Sequence, residues 1–132
     1  MSVSNTDDVI DSRDVIERIE ELQGERDSFE VDGEENPGAW AVQNPDDAEE
    51  LRVLEALAEE CEDYASDWRH GETLIRESYW QDYVQELLED VGDIPRDMPH
   101  YLVIDWEATA RNIAYDYTIV DFGGIDYYIR NC

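Results

Sequence analysis

Carboxylates dominate the side chains of this sequence that could carry out chemistry. The 132 residues include 36 Asp and Glu and 9 basic residues, all of them arginine, which leaves a net charge of −27. Two or three carboxylates at a suitable spacing serve glycoside hydrolysis or magnesium-dependent reactions. Because a chain with so many acids contains almost every spacing, this pattern indicates no particular reaction.

The residues used in other common chemistries lack the spacing that those chemistries need. Two histidines, His70 and His100, and two cysteines, Cys61 and Cys132, form none of the short pairs of structural zinc sites. Residues 30–34 alternate acids around a glycine, but the glycine is misplaced for an EF-hand loop. No nucleophile elbow, phosphate loop or dinucleotide fingerprint is present. We therefore expect a protein that is not an enzyme, with no catalytic residue, no metal and no cofactor.

The acidic residues are spread along the chain and do not form a tail. Thirteen lie in residues 1–36, ten in 37–69 and thirteen in 70–132, against three, two and four arginines. A surface of this kind repels nucleic acid and anionic membranes and attracts basic surfaces. B-DNA carries one charge per roughly 1.7 Å of axis, so 27 charges equal those on about 46 Å of duplex. The charge permits DNA mimicry, and a merely solvated acidic surface is the alternative.

Composition predicts a folded chain with one modest core. Hydrophobic residues make up 42% of the sequence, and four tryptophans and eight tyrosines supply large surfaces for burial. Cys61 falls on the apolar side of a predicted helix, where a small buried side chain is expected. Residues 1–5 lack the basic start of a signal peptide, and no apolar run is long enough to span a membrane. We expect a cytoplasmic protein without membrane contact.

Helical periodicity predicts the elements that must position the acids. A first helix, capped by Asn5 or Thr6, is expected to end at Gly24. Residues 24–45 are typical of a linker or long loop, with a short strand at 39–42. The clearest helix opens at Pro45 with apolar residues at three- and four-residue steps. Its opposite side carries the acids Glu55, Glu59, Glu62 and Asp63.

The second half of the chain predicts two more helices and a hairpin. Residues 69–77 are typical of a turn that buries Leu74 and Ile75, and 101–104 of a short strand. One helix begins at a Ser78–Gln81 capping box and ends at Gly92; another is capped by Asp105 and has Tyr117 on its inner face. Residues 117–120 and 125–129 flank two glycines, which indicates a hairpin.

These elements predict an α+β fold that is mainly helical. A C-terminal β-hairpin and up to two further short strands accompany the helices. Residues 1–45 are expected to form an N-terminal helix and an acidic linker with some flexibility. Residues 46–132 are expected to form the acidic α+β domain.

Part of the second half resembles a known family. The run at 86–95, ELLEDVGDIP, looks like the antirestriction motif of the ArdA antirestriction proteins. Residues 104–112, IDWEATARN, are similar to that family's I-D-[YW]-E-A-x-[AG]-R-[DN] segment, and 116–119 and 127–128 also fit its pattern. The resemblance covers roughly residues 78–130. The first half lacks the family's usual I-Y-V-A-x-L-like start and H-G-x-W-I-D-like segment.

The resemblance implies a function. ArdA proteins come from phages and mobile elements and are elongated, acidic DNA mimics, typically dimers, that occupy the DNA groove of Type I restriction-modification enzymes. This chain would then inhibit such an enzyme in the host cytoplasm, without binding nucleic acid itself. An acidic adaptor or inhibitor of another basic, DNA-scanning defence or phage protein is the alternative.

Two groups of residues are predicted to carry that function. The partner-binding acids are Glu55, Glu59, Glu62, Asp63, Glu86, Glu89, Asp90 and Asp93. The antirestriction motif lies near the subunit contact in the family, so the resemblance implies a homodimer with self-association at Leu87, Val91, Ile94 and Pro95. Ordinary core packing and a helix stop are the alternative for these four.

Overall fold

An antiparallel sheet of four strands lies at the centre of the computed structural model, which describes residues 3–92, 101 and 103–130. The helices are α1 (Ser12–Asp27), α2 (Pro37–Gln43), α3 (Pro45–Tyr64), α4 (Trp80–Asp90) and α5 (Trp106–Ile113). The strands are β1 (Val9–Asp11), β2 (Glu30–Val31), β3 (Glu34–Glu35), β4 (Thr73–Arg76), β5 (Tyr117–Phe122) and β6 (Ile125–Arg130). Among the described residues, the central sheet has the order β1-β4-β6-β5, and β2 and β3 pair separately.

The sheet separates two apolar cores. Leu74 and Ile129 lie opposite each other in the β4–β6 pair, and both belong to the core under α1, α2 and α3. Their neighbours Ile75 and Tyr128 are also paired and point to the other face, where they contact the core that α4 and α5 cover. This alternation follows from the two-residue period of strands. The fold is therefore a three-layer arrangement of helices, sheet and helices.

The larger core joins the beginning and the end of the chain. Val15 and Leu22 from α1 are buried in the same cluster as Leu54 from α3 and Ile129 from β6. At roughly 25 cal/mol per Å², each such side chain contributes about 1.5–3 kcal/mol when it leaves water. Residues on both sides of position 45 therefore depend on one another for burial.

Several local predictions are confirmed. The fold is α+β and mainly helical. Proline occupies the first turn of α3 at position 45, and Asp105 Oδ1 accepts from Ala108 N at 3.1 Å to cap α5. The hairpin closes through Gly123 and Gly124, whose φ angles of 57° and 91° suit a tight two-residue turn. In each case one or a few neighbouring residues determine the geometry.

The predicted start of the first helix is wrong. Residues 9–11 form β1, which pairs with β4 and places Ile10 opposite Leu74. The helix begins only after Asp11, whose Oδ1 accepts from Arg13 N at 2.9 Å. It then runs through Gly24, where it was expected to stop. Pairing with a distant strand decides the start, and such pairing leaves no trace in local periodicity.

Residues 24–45, predicted as a linker, contain regular structure. They hold the end of α1, the β2–β3 pair and α2. The predicted strand at 39–42 is wrong, because Asn36 Oδ1 accepts from Ala39 N at 3.2 Å and caps a helix there. Trp40 is buried and Val42 is 79% exposed, so their alternation reflects one buried side of a short helix.

Three further predictions in the second half are corrected. The turn at 69–77 contains β4, the strand between β1 and β6. The capping box is replaced by a 3₁₀ turn, in which Ser78 Oγ accepts from Arg76 Nη1 at 2.9 Å. In the predicted strand at 101–104, the described residues Tyr101, Val103 and Ile104 form no strand. Tyr117, predicted on a helix, begins β5.

Ser12 connects the start of α1 to the loop before β4. This side chain is fully buried, and its Oγ donates to Trp68 O at 2.8 Å and accepts from Glu72 N at 2.7 Å. Its own N–H donates to Glu72 O at 2.8 Å. One hydroxyl therefore satisfies two main-chain groups that the sequence places 56 and 60 positions away.

We predict that Ser12→Ala lowers the free energy of unfolding by about 1–3 kcal/mol, because it leaves a buried N–H and a buried C=O without a partner. Urea unfolding followed by circular dichroism measures this loss. Ser28→Ala is the control, since that exposed hydroxyl donates only to Gly24 O at 2.7 Å. An equal effect from the two substitutions would contradict the role given to Ser12.

Candidate functional site

An acidic surface formed by α1 and α3 is the main feature that could bind a partner. The inner side of α3 buries Leu51, Leu54, Leu57 and Cys61. The 20 residues of this helix also carry nine acids and one arginine, Arg52. The apolar stripe fixes the helix on the sheet, so most of the acids face solvent.

The second helix of this surface packs beside the first through polar contacts as well as the core. Arg18 donates to Glu50 of α3 at 2.8 Å and to Glu21 of its own helix at 3.1 Å. Gln23 Nε2 donates to Glu55 Oε2 at 3.0 Å. These contacts hold the acids of α1 next to those of α3.

Every arginine on the two helices is paired with a nearby acid. Arg13 pairs with Asp11, Arg26 with Asp27, and Arg52 with Glu49. Together with the pairs of Arg18, these contacts use up the positive charge of the surface. The acids of α1 and α3 that form no ion pair are Asp14, Glu17, Glu20, Glu25, Asp46, Asp47, Glu55, Glu59, Glu60, Glu62 and Asp63.

Ion pairing changes the titration of the carboxylates that it includes. The hydrogen bond from Arg18 holds the pKa of Glu50 below its usual range, although partial burial opposes the shift. The hydrogen bond from Arg52 lowers the pKa of Glu49, and the one from Arg13 lowers that of Asp11. These carboxylates therefore keep their charge at a lower pH than an isolated one.

The structure divides the predicted partner-binding acids into two groups. Glu55, Glu59, Glu62 and Asp63 are all exposed on α3. The other described ones lie on α4, where Glu86 and Asp90 are exposed and Glu89 is half-buried. Because α3 and α4 cover opposite faces of the sheet, the two groups cannot share one flat binding surface. Asp93 lies outside the described residues.

The predicted self-association residues are only partly described. Leu87 is half-buried, while Val91 is 59% exposed just after α4. Ile94 and Pro95 lie outside the described residues. The exposure of Val91 is compatible with a contact, and Leu87 already has neighbours within its own chain.

Sequence reasoning missed the contribution of α1 to the acidic surface. Glu17 and Glu20 are exposed on this helix, opposite the buried Val15 and Leu22. Their three-residue spacing was a readable signal, but an amphipathic helix does not reveal which other helix lies beside it. The packing of α1 on α3 is the information that was lacking.

Groups that could serve catalysis are isolated or inert. Burial, with Glu60 and Glu62 nearby, raises the pKa of the Cys61 thiol to about 12, so the nucleophilic thiolate is scarce near neutral pH. His70 is exposed. Within residues 3–92, 101 and 103–130, no group of three or more His, Cys, Asp or Glu could hold a metal ion. His100 and Cys132 lie outside these ranges.

Comparison with known family models, curated proteins and solved structures gives no match for this chain. Of the helices in the described part of the chain, none is long and apolar enough to cross a membrane.

We predict that Glu50→Gln lowers the free energy of unfolding by about 1–2 kcal/mol at pH 7, because it weakens a partly buried charge-assisted pair. The pKa of Glu50 is lower in the folded chain than the roughly 4.3 of an unfolded one. The pair thus stabilises the fold above that pH, and its contribution is lost as the pH falls through the folded pKa.

Urea unfolding at pH 7 and at pH 3 measures both parts of this prediction. The difference between the parent and Glu50→Gln should be present at pH 7 and shrink at pH 3. Glu17→Gln is the matched control, as it removes an exposed charge of α1 that forms no ion pair. A difference that does not depend on pH would contradict the prediction.

We also predict that NaCl stabilises the protein. Raising its concentration from about 0.01 M to 0.1 M shortens the Debye length from about 30 Å to about 10 Å and screens repulsion among the acids. The urea midpoint should rise, and it should rise less in a variant with Glu55→Gln, Glu59→Gln, Glu62→Gln and Asp63→Asn. A midpoint that falls or stays constant would show that repulsion does not limit stability.

Proposed function

We propose that this protein is a DNA mimic that inhibits a Type I restriction-modification enzyme by occupying its DNA-binding groove with the acidic surface of α1 and α3. The observation that carries the proposal is the pairing of every arginine on these helices inside the chain. Repulsion would be relieved most simply by alternating charges, yet the outward acids are left without basic neighbours. Their charge is available to a basic partner.

The density of charge supports this proposal. A helix of 20 residues spans about 30 Å, and a duplex of that length carries about 18 phosphate charges. The nine acids of α3 and six of α1 stand against four arginines. A protein that grips one side of a duplex meets only part of the phosphates, so the two densities are of the same order.

Rigid presentation of the acids also supports binding. They stand on helices whose inner sides are buried against one sheet, so the main chain loses little freedom when a partner binds. Ordering of flexible segments is one of the main costs of association. A preformed row of carboxylates avoids most of that cost.

The resemblance of residues 78–130 to ArdA proteins supports the class of target. It concerns α4, α5 and the hairpin, which lie mainly on or beyond the sheet from the acidic surface of α1 and α3. We therefore assign the acids of α1 and α3 to enzyme binding, and the resemblance to the kind of enzyme that is bound.

We predict that the protein restores the plating of an unmodified phage on a host with a Type I restriction system, with methylation impaired in the same cells. In vitro, it should displace a labelled duplex from the purified methyltransferase, and added salt should weaken its binding. Substituting Glu55→Gln, Glu59→Gln, Glu62→Gln and Asp63→Asn together should weaken displacement at least about tenfold. Four exposed pairs at about 0.5 kcal/mol each give about 2 kcal/mol.

A matched set on the other side of the sheet serves as the control. Glu77→Gln, Asp82→Asn, Glu86→Gln and Glu89→Gln together remove the same charge near α4 and should weaken displacement much less. A larger effect from this set would move the binding surface to α4. No displacement of DNA and no restored plating at good soluble expression would contradict the proposal and favour an acidic adaptor for another basic protein.

A further inference from the structure

A groove of about 370 Å³ opens between α1 and α3 within the acidic surface. Its acidic lining comes from both helices: Glu20 from α1, and Glu55, Glu59 and Glu62 from α3. Arg69 is the one basic residue among those that line it. The volume is at the lower end of the roughly 300–1,000 Å³ typical of ligand pockets, which suits one long side chain and its adjoining main chain.

Trp68 is the only fully buried residue in the lining of this groove. It is 2% exposed, and its Nε1–H has no hydrogen-bond acceptor in the described part of the chain. The carbonyl of the same residue is satisfied by Ser12 Oγ, so the backbone here is firmly held. Buried donors almost always have a partner, and each exception calls for an explanation. An acceptor supplied by a bound molecule is one such explanation.

Apolar groups complete the lining. Ile16, Ile19 and Ala58 are half-buried and line the groove together with the ring of Trp68. Long basic side chains bury their methylene stems along such surfaces and keep the charged end among polar groups. A groove with apolar walls and several carboxylates therefore fits a long cationic side chain better than a small ion. The described residues also offer no cluster that could hold a metal ion.

We propose that this groove binds an arginine side chain of the partner protein. The guanidinium lies among Glu20, Glu55, Glu59 and Glu62, and a main-chain carbonyl next to that arginine accepts from Trp68 Nε1. Arginine fits better than lysine because its planar fork pairs with two carboxylates at once and stacks on aromatic rings. The identification of the partner rests on the proposed function, since arginines line surfaces that contact phosphates.

The test is a nuclear magnetic resonance titration of the full-length protein. The chain has four tryptophans, and the indole N–H signal of Trp68 is identified by its absence in Trp68→Phe. The probe is the peptide acetyl-Gly-Arg-Gly-amide, and its citrulline counterpart is the uncharged control. We expect the arginine peptide to shift the Trp68 signal to saturation and the citrulline peptide to leave it in place.

Two charge-matched variants locate the site. Glu20→Gln with Glu59→Gln removes one acid of the groove from each helix and should weaken peptide binding at least about tenfold. Glu17→Gln with Asp63→Asn removes one exposed acid from each helix outside the groove and should weaken it less than about threefold. An unmoved Trp68 signal, an equal response to citrulline, or equal losses in the two variants would overturn the proposal.

The outcome is separable from that of the proposed function. Saturable binding of the arginine peptide without relief of restriction would keep the groove and remove the restriction enzyme as the target. Relief of restriction with an unmoved Trp68 signal would keep the proposed function and overturn the groove.

Discussion

Repulsion among carboxylates is the constraint on which the rest of this structure depends. Thirty-six acids and nine arginines must share a chain of 132 residues, and folding brings the acids closer together. The chain meets this constraint in two ways. Its arginines on α1 and α3 pair with acids next to them, and an amphipathic inner side anchors each helix to the sheet. The acids left over point to solvent, where water and salt screen them.

The sheet gives this surplus charge a direction. Because successive residues of β4 and β6 point to opposite faces, the helices sort into two layers with separate cores. The acids of α1 and α3 therefore gather on one side, and those of α4 on the other. A molecule whose charge is divided in this way presents different surfaces to different partners. This division is why enzyme binding and the family resemblance are assigned to different layers.

The same packing creates the groove. Neither α1 nor α3 alone encloses a space, but side by side they enclose Trp68 beneath a rim of glutamates. The loop that carries Trp68 is tied to the start of α1 by Ser12, which leaves the indole N–H without an acceptor while the carbonyl has one. Stability and recognition meet at this point, because the contact that fixes the loop also shapes the lining of the groove.

The sequence by itself determined the features that depend on neighbouring residues. Pro45 and the apolar stripe after it predicted α3, Asp105 predicted the start of α5, and Gly123–Gly124 predicted the hairpin, because caps, periodicity and positive φ are local. The acidic character and the exposed acids Glu55, Glu59, Glu62 and Asp63 also followed from composition and helical spacing. Only the tertiary structure decided that Val9–Asp11 is a strand, that 39–42 is helical, and that α1 lies beside α3. Each of these depends on partners dozens of residues away, whose pairing energy outweighs local preference and has no local signature.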